Sequence, residues 1–245
     1  MPKVALVTGS SRGIGRATAL RLAADGYDIV VNYVRSKKQA TQVVVAIKAK
    51  GRKAVSVKAD VSEWREARRL VETAIKVFGR IDILVNNAGI YERTVLDDLT
   101  PEQWDRRVAT NLSSVFYCTK AALPYLKKAG WGRIINISSQ IAFKGTDHGS
   151  EYAASKAGIL GFTKASAQEL ARYNVTVNAI APGPVDTDIL AGDTPEKRRQ
   201  RAREIPLRRI GRPENVAAVV SFLASKDSDW ITGTTLLVNG GSAMY

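Results

Sequence analysis

The sequence predicts an α/β protein built on one doubly wound parallel sheet of about seven strands with helices on both faces. Short apolar runs alternate with helix-length amphipathic segments along all 245 residues. Some of these runs, such as Ile81–Val85, are apolar almost throughout, which is typical of strands covered on both sides. No linker, repeat or low-complexity tract interrupts the pattern, so we expect a single domain over residues 1–245.

The predicted elements follow one another as strand, helix, strand, which indicates parallel β-α-β units. The predicted strands are Val4–Val7, Asp28–Asn32, Ala54–Lys58, Ile81–Asn86, Gly132–Ser138, Thr176–Ala181 and Thr234–Val238. The predicted helices are Gly13–Asp25, Lys37–Lys50, Ser62–Phe78, Pro101–Leu112 continuing to Lys128, Glu151–Tyr173 and Pro213–Ala224. Ligands of such a sheet bind beyond the carboxyl ends of its strands.

Residues 183–212 differ from the rest of the chain. They begin with Gly183 and Pro184 and then become highly charged, with a basic run at Lys197–Arg203. A long segment without apolar periodicity inside a compact domain is usually functional, and we predict that it forms a lid. The basic run is most simply a solvated helix face, and the alternative is attraction of anionic substrates.

The composition excludes several classes of protein. Hydrophobic residues make up 45% of the chain, which is enough for a buried core and too many for a disordered protein. No apolar run reaches the ~18 residues of a membrane span, and a strand-like segment stands where a signal peptide would begin, so we expect no membrane partner. Cys118 is the one cysteine, which excludes an intrachain disulfide and favours a cytoplasmic location.

The net charge of +14 raises the alternative of a basic, non-catalytic protein that binds nucleic acid. The basic residues are scattered, with local concentrations at Arg35–Lys38, Arg65–Arg69 and Lys197–Arg203. The sequence contains neither zinc-ligand spacing nor a basic tail. We therefore expect no specific nucleic-acid partner, and we attribute the charge to solubility or to attraction of phosphorylated ligands.

A glycine-rich turn joins the first predicted strand to the first predicted helix. Its spacing is G-x-x-x-G-x-G, and glycines allow a tight turn whose backbone approaches a pyrophosphate at the N-terminus of the helix. This position between a strand and a helix predicts a dinucleotide site of the Rossmann type. The residues expected to bind are Gly9, Ser11, Arg12, Gly13, Ile14 and Gly15.

The residues after the second strand predict NADP(H) rather than NAD(H). An acid at this point would bind the ribose 2′-hydroxyl, whereas a basic residue accommodates a 2′-phosphate. The strand ends at Asn32 without an acid, and Arg35 follows with Lys37 and Lys38 behind it. An arginine pairs with phosphate through charge-assisted hydrogen bonds, and Arg12 adds a second cation. The alternative is that these cations only start a solvated helix.

Four segments, in this order, resemble motifs of the short-chain dehydrogenase/reductase family. They are Thr8–Gly15, Asn86–Gly89, Tyr152–Lys156 and Pro182–Gly183. The first resembles the family's cofactor turn, the second its N-N-A-G motif and the third its Y-x-x-x-K motif, and the resemblance covers essentially the whole chain. Ile205–Glu214 and Val238–Gly241 are most similar to the 3-oxoacyl-acyl-carrier-protein reductases of that family.

The resemblance implies more contacts to the cofactor. Asp60 and Val61, which follow the third strand, are expected beside the adenine. Further cofactor-binding residues implied by position are Asn32, Asn87, Ala88, Gly89, Tyr152, Lys156, Pro182, Gly183, Val185 and Thr187.

The resemblance also implies a catalytic group of Asn111, Ser139, Tyr152 and Lys156. Tyr152 and Lys156 are four residues apart on a predicted helix and so project from one face. A nearby ammonium group favours the phenolate, and we expect it to lower the pKa of Tyr152. The implied roles are a hydrogen bond from Ser139 to the substrate carbonyl, a water held by Asn111 in a relay to Lys156, and a contact of Lys156 with the nicotinamide ribose.

The expected reaction is the NADPH-dependent reduction of a ketone to a secondary alcohol, with 3-oxoacyl thioesters as first choice and acyl carrier protein as a partner. Gly149–Glu151 replaces the Gln-Ala-Asn of typical carrier-protein reductases, which leaves a sugar, polyol or other small ketone as the alternative. His148 is the one histidine, so no metal site is expected, and it is either a loop residue or a substrate contact. By resemblance the protein is a homotetramer.

Overall fold

A seven-stranded sheet forms the centre of the computed structural model, which describes residues 2–245. The strands are β1 (Val4–Val7), β2 (Asp28–Tyr33), β3 (Ala54–Lys58), β4 (Ile83–Asn86), β5 (Gly132–Ile137), β6 (Val175–Pro182) and β7 (Thr235–Val238). Their order is β3-β2-β1-β4-β5-β6-β7, and all neighbours are parallel. The direction of winding reverses between β1 and β4, where such folds bind their ligands.

Helices cover both faces of the sheet. They are α1 (Gly13–Ala24), α2 (Lys37–Lys48), α3 (Trp64–Phe78), α4 (Pro101–Val108), α5 (Ser114–Ala129), α6 (Ile141–Lys144), α7 (Ser150–Leu170), α8 (Pro195–Glu204) and α9 (Pro213–Ala224). Helices α1, α2 and α9 pack on one face, and α3, α5 and α7 pack on the other. Within residues 2–245 no helix combines the length and hydrophobicity that a bilayer span requires.

The apolar strands supply two cores at once. In β1, Ala5 and Val7 face the first core while Val4 and Leu6 face the second, and all four are buried. Successive side chains of a strand point to opposite sides, so a strand between two helical layers must be apolar at every position. This explains the continuous apolar runs in the sequence and confirms the predicted doubly wound sheet.

The helices differ from the prediction in three places. The predicted helix from Pro101 to Lys128 is interrupted by a π-helical turn at Ala109–Ser113. Helix α6 was not predicted, because four residues are too few to show a period. Helix α8 has no buried residue and therefore no apolar stripe. Its start was nevertheless readable, because Thr194 caps the helix and Pro195 follows at the first helical position.

Candidate active site

The glycine turn after β1 is shaped by its packing. Gly9 and Gly13 have φ angles of +61° and +54°, in the left-handed region that favours glycine. A Cβ atom on Gly15 would lie 2.5 Å from the side-chain nitrogen of Asn87 and 2.5 Å from the carbonyl oxygen of Gly9. Helix α1 can therefore approach the end of β4 only because residue 15 has no side chain.

A set of hydrogen bonds, here called the cradle, joins the carboxyl ends of β1, β2 and β4. It consists of Thr8, Gly9, Asn32, Asn87 and Ala88. The Thr8 hydroxyl accepts bonds from the backbone nitrogens of Asn87 and Ala88, each at 2.9 Å, and the Asn87 amide donates to the Thr8 carbonyl at 2.8 Å. The Asn32 side chain accepts from the Gly9 nitrogen at 3.0 Å and donates to the carbonyl of Ala59 at 2.9 Å. Both asparagine amides are thus engaged within the protein, and their predicted contact with the cofactor stays a prediction.

Exposed cations lie in the glycine turn and in the segment after β2. Arg35 follows β2 and is exposed, as are Lys37 and Lys38. Arg12 is exposed as well and forms an ion pair of 2.9 Å with Asp188, in which both side chains are more than 60% accessible. Asp60 is exposed and accepts bonds from Ser62, whereas the side chain of Val61 is buried.

Residues 183–212 leave β6 and pass beside the glycine turn. A Cβ atom on Gly183 would lie 2.8 Å from the Cα of Asn239, so the chain exits through a tight space. Val185 forms a bridge with Gly211, which closes the base of the segment. Thr187 lies against Gly13, with its methyl group 3.4 Å from where a Cβ of Gly13 would be. Thr187 is thus brought to the glycine turn, and the cofactor role predicted for Thr187, Pro182, Gly183 and Val185 stays a prediction.

Ion pairs connect the same segment to the chain that follows β4. The side chain of Asp193 is 4% exposed and contacts Arg93 at 3.3 Å and Lys197 at 3.7 Å, together with Arg201. Although desolvation opposes it, Arg201, Arg93 and Lys197 lower the pKa of Asp193. The run Lys197–Arg203 lies on α8, which buries none of its residues, as predicted for a solvated helix.

Ser139, Tyr152 and Lys156 meet at the end of β5. The Lys156 ammonium donates to the carbonyl of Ile137 at 2.9 Å and lies 5.6 Å from the centre of the Tyr152 ring. A hydrogen bond joins Ser139 to Tyr152. The neighbouring Ser138 instead donates to the carbonyl of Lys156 at 2.7 Å and so anchors α7. The geometry separates the two adjacent serines, with Ser139 beside the tyrosine.

Burial dominates the electrostatics of this group. It raises the pKa of Tyr152 to about 12, against the opposing effect of the hydrogen bond with Ser139. It also lowers the pKa of Lys156 to about 8. The pKa of Tyr152 is thus raised and not lowered as expected, because desolvation disfavours the charged forms of both groups and outweighs the effect of a nearby cation. The phenol is therefore protonated at neutral pH and is available as a proton donor.

Asn111 lies in the π-helical turn and is 1% exposed. Its side-chain oxygen accepts from the backbone nitrogen of Ile90 at 2.8 Å, and its amide donates to the Ile90 carbonyl at 3.0 Å. A Cβ on Gly89 would lie 3.0 Å from that oxygen and 3.5 Å from the Lys156 nitrogen. Asn111 and Lys156 thus converge on the backbone of Gly89. Such π turns are frequent at functional sites.

Sequence reasoning missed a buried ion pair next to the tyrosine. Arg107 of α4 is 3% exposed, and its guanidinium donates to Glu151 at 2.8 Å, whose side chain is 1% exposed. The same guanidinium donates to Thr94 at 2.9 Å and to Glu92 at 3.0 Å. The one signal in the sequence was the acid directly before Tyr152, where related reductases have asparagine.

Tyr91 was also missed. Its ring centre lies 4.7 Å from that of Tyr152, and its hydroxyl donates to the carbonyl of His148 at 3.0 Å. His148 itself contacts Asp147 through its ring nitrogen. These residues form one wall beside Tyr152, which brings the single histidine close to the candidate site.

The part of the chain that the structure describes has neither a cluster of metal ligands nor a reactive thiol. Among residues 2–245 no cluster of three or more His, Cys, Asp and Glu side chains is arranged to hold a metal ion. Cys118 is fully buried, and burial raises its pKa to about 12, so its thiol is not nucleophilic at neutral pH.

Comparisons with known proteins agree with this geometry. The family model for short chain dehydrogenase matches residues 3–198. The chain is 43% identical to a 3-oxoacyl-[acyl-carrier-protein] reductase of Staphylococcus aureus strain Mu50, covering 100% of this chain and 99% of the relative. It is 47% identical to the reductase of the same name from Synechocystis sp., covering 99% and 98%. A solved short chain dehydrogenase of Burkholderia cenocepacia in complex with NADP superposes with a TM-score of 0.93 at 39% identity, covering 98% and 97%. The chain therefore belongs to the short-chain dehydrogenase family.

Proposed function

We propose that this protein reduces a 3-oxoacyl thioester to a 3-hydroxyacyl thioester with NADPH. The observation that carries the proposal is the group formed by buried Ser139, buried Lys156 and partly buried Tyr152, which lies at the carboxyl ends of the strands together with the glycine turn. The full-length relatives of known name, which are 3-oxoacyl-[acyl-carrier-protein] reductases, support the substrate class. They also support acyl carrier protein as the partner that presents the acyl chain.

The residues of the cofactor region fit NADPH. The first turn of α1 offers backbone N–H groups for the pyrophosphate, and the lack of a side chain at Gly15 allows the close approach. Arg35 is exposed after β2, and no acid stands there to repel a 2′-phosphate. Arg12 would join it by exchanging its exposed pair with Asp188, because such pairs are weak. When bound, NADPH supplies the hydride that reduces the carbonyl carbon.

Each catalytic residue then has a separate role in the protonation of the substrate's carbonyl oxygen. The Ser139 oxygen accepts a bond from the backbone nitrogen of Ile141 at 3.2 Å, and its hydroxyl, which interacts with Tyr152 in this structure, would turn its hydrogen toward the substrate carbonyl when substrate binds. Tyr152 is protonated at neutral pH and donates its proton as negative charge develops on that oxygen. The Lys156 ammonium stabilises the phenolate that remains. The side-chain oxygen and amide of Asn111 each have one hydrogen-bonding position left, and we assign these to the water that returns a proton.

Three further properties belong to the proposal. Residues 183–212 act as a lid, supported by their exposed ion pairs and their position beside the glycine turn. The protein is a homotetramer, supported by an apolar groove of about 420 Å³ between α5 and α7 that includes Phe116 and Phe162. It works in the cytoplasm, in keeping with its single, unpaired cysteine. Light scattering in solution tests the assembly, with a mass near four chains expected and a monomer contradicting it.

A smaller ketone is the alternative substrate. Tyr91 packs against one side of Tyr152 and narrows the approach to it, which suits a compact sugar, polyol or ketone. A panel of such ketones distinguishes the two, since an acyl-thioester reductase should turn over acetoacetyl-CoA faster than any of them.

The cofactor and substrate are tested together by following absorbance at 340 nm with NADPH or NADH and acetoacetyl-CoA. We expect turnover with NADPH that is lost in Tyr152→Phe. In Arg35→Ala we expect the KM for NADPH to rise about tenfold or more with the KM for NADH unchanged, because only the 2′-phosphate loses its partner. Equal KM changes for both cofactors would contradict the role of Arg35, and no turnover of any ketone would contradict the reductase.

A further inference from the structure

The pair between Arg107 and Glu151 is the most deeply buried ion pair described above. Both side chains are almost inaccessible, and the Nε of Arg107 and the Oε2 of Glu151 are buried without a hydrogen-bond partner. Removing two charges from water is expensive, and a buried pair seldom stabilises a fold more than apolar residues of the same size would. Stability alone therefore gives no sufficient reason for this arrangement.

The connections of the pair point to the catalytic tyrosine. Glu151 immediately precedes Tyr152 in the first turn of α7, and its backbone carbonyl accepts a bond from Ser155 at 2.7 Å. A carboxylate is also favoured at this end of a helix. The guanidinium of Arg107 is thus bonded to the helical turn that contains Tyr152.

The other nitrogen of the same guanidinium bonds to the segment that follows Tyr91. It donates to Glu92, the residue after Tyr91, and to Thr94, two residues further along the chain. The Tyr91 ring contacts the Tyr152 ring at 4.7 Å. One planar group with fixed donor directions therefore links both sides of the catalytic tyrosine.

We propose that Arg107 is a positioning residue of the reaction, which fixes Tyr152 through Glu151 and fixes Tyr91 through Glu92 and Thr94. The inference rests on the proposed function, because it assigns Tyr152 as the proton donor. Proton transfer requires the donor within hydrogen-bond reach of its acceptor, and a displacement of about 1 Å lowers rates by up to about 100-fold. Arg107 touches no reacting atom and acts through the acids and the tyrosine rings.

The chain offers a matched control. Arg106 is adjacent, and its guanidinium donates to the same Glu92 oxygen at 2.7 Å, yet it is 53% exposed and makes no bond to Glu151. Arg106→Met removes the same number of atoms and one charge from the same helix. It leaves the link to Tyr152 in place.

The test compares wild type with Arg106→Met, Arg107→Met, Glu151→Gln and the double variant Arg107→Met/Glu151→Met. The measurements are kcat and KM with NADPH and acetoacetyl-CoA, the Kd of NADPH by fluorescence, the thermal midpoint, and crystal structures of wild type and Arg107→Met. We expect kcat to fall about 10- to 100-fold in Arg107→Met and less in Glu151→Gln, with the Kd of NADPH within about twofold of wild type. Arg106→Met keeps kcat within about twofold.

The double variant separates positioning from stability. Replacing both charges by apolar residues restores the thermal midpoint, and we expect kcat to stay low. Recovery of kcat together with the midpoint would overturn the proposal, because the pair would then serve only the fold. If the double variant does not fold, the isosteric Glu151→Gln decides alone, and a wild-type kcat in it overturns the proposal.

The crystal structures keep this inference distinct from the proposed function. Displacement of the Tyr152 hydroxyl relative to Ser139 in Arg107→Met supports the positioning role even if wild type reduces no ketone in the assay, an outcome that removes the proposed function alone. An unmoved tyrosine overturns the positioning role whatever the activity is.

Discussion

The two sides of the cofactor region are built from different interactions. On the cradle side, Thr8, Asn32 and Asn87 bind backbone groups at the ends of neighbouring strands through neutral hydrogen bonds that are buried or partly buried. On the side of the proposed lid, the contacts are ion pairs such as Arg12–Asp188 and Arg198–Asp186, whose side chains are mostly exposed. The cradle side is held by neutral hydrogen bonds between groups of the protein, whereas the side of the proposed lid is held by exposed ion pairs.

The difference predicts a fixed wall and an adjustable wall. Leaving a buried polar group of the cradle without its partner costs about 1–3 kcal/mol, whatever the salt concentration. An exposed ion pair contributes about 0–1 kcal/mol and is screened within about 8 Å at physiological ionic strength. A ligand can therefore displace lid contacts with little free energy, whereas the cradle keeps its shape.

The largest expected effect lies on the fixed side, at Lys156. Its pKa of about 8 means that the ammonium is lost as the pH rises through that value. Because the ammonium stabilises the phenolate of Tyr152, we expect the rate of ketone reduction to fall above about pH 8. Lys156→Met should lower kcat/KM by about 100- to 10,000-fold. Initial rates between pH 6 and 10 measure both, and a flat profile in wild type would contradict the assignment.

The contribution of Lys156 to the free energy of unfolding should rise with pH, whereas the rate of reduction should fall. The folded-state pKa of about 8 is below the ordinary 10.5, so between these values the unfolded chain binds more protons than the folded one. This lysine therefore makes the free energy of unfolding rise with pH across that window. Lys156→Met should remove the slope and raise the free energy of unfolding at pH 7 by about 1–3 kcal/mol. Urea denaturation at pH 7 and pH 10 provides the measurement.

The next effect, on the cradle, is one of stability. Asn87→Ala removes the bonds to the carbonyls of Thr8 and Gly9 and should lower the free energy of unfolding by about 2–4 kcal/mol, with the Kd of NADPH raised. Gln200→Ala is the control in the proposed lid, because Gln200 bonds to Glu204 on an exposed helix face, and we expect a change below about 0.5 kcal/mol. Equal changes in the two variants would contradict the distinction between the walls.

The fold was predictable because most strand residues are apolar, so that each strand is a short apolar run between helix-length segments. The predicted strands agree with the structure to within two residues at each end, and β1 is apolar at every position. The glycine turn and Tyr152–Lys156 were readable for a related reason, because each is a local pattern whose spacing carries its chemistry. The short α6 has too few residues to show a period and was not predicted, and the polar α8 was predicted only as a solvated helix face at Lys197–Arg203, without its bounds.

The rest of the site depends on pairs distant in sequence. Arg107 and Glu151 are 44 residues apart, and nothing local to either reveals the partner. The pKa of Tyr152 was misjudged for the same reason, since the degree of burial follows from how α7, the end of β5 and Tyr91 pack together. Local spacing correctly predicted that Tyr152 and Lys156 share one helix face, whereas distant pairs and the electrostatics of the site require the tertiary structure.

The smallest effect is expected at Asp193, where the proposed lid meets Arg93. Asp193→Asn keeps the shape but removes the charge that Arg93, Lys197 and Arg201 share. With these cations repelling one another, the lid should close less readily, and we expect the KM for acetoacetyl-CoA to rise about two- to fivefold with kcat nearly unchanged.

Salt provides the sharper form of this experiment. Added salt screens the wild-type pairs, so the wild-type KM should rise with ionic strength toward that of Asp193→Asn, whose own KM should depend on salt much less. The control is Glu196→Gln, which removes an exposed pair with Arg199 on the same helix but no contact to Arg93. It should leave both KM and its salt dependence as in wild type. If Glu196→Gln raises KM as much as Asp193→Asn, the general charge of α8 acts on the substrate and the link from Asp193 to Arg93 does not hold the lid.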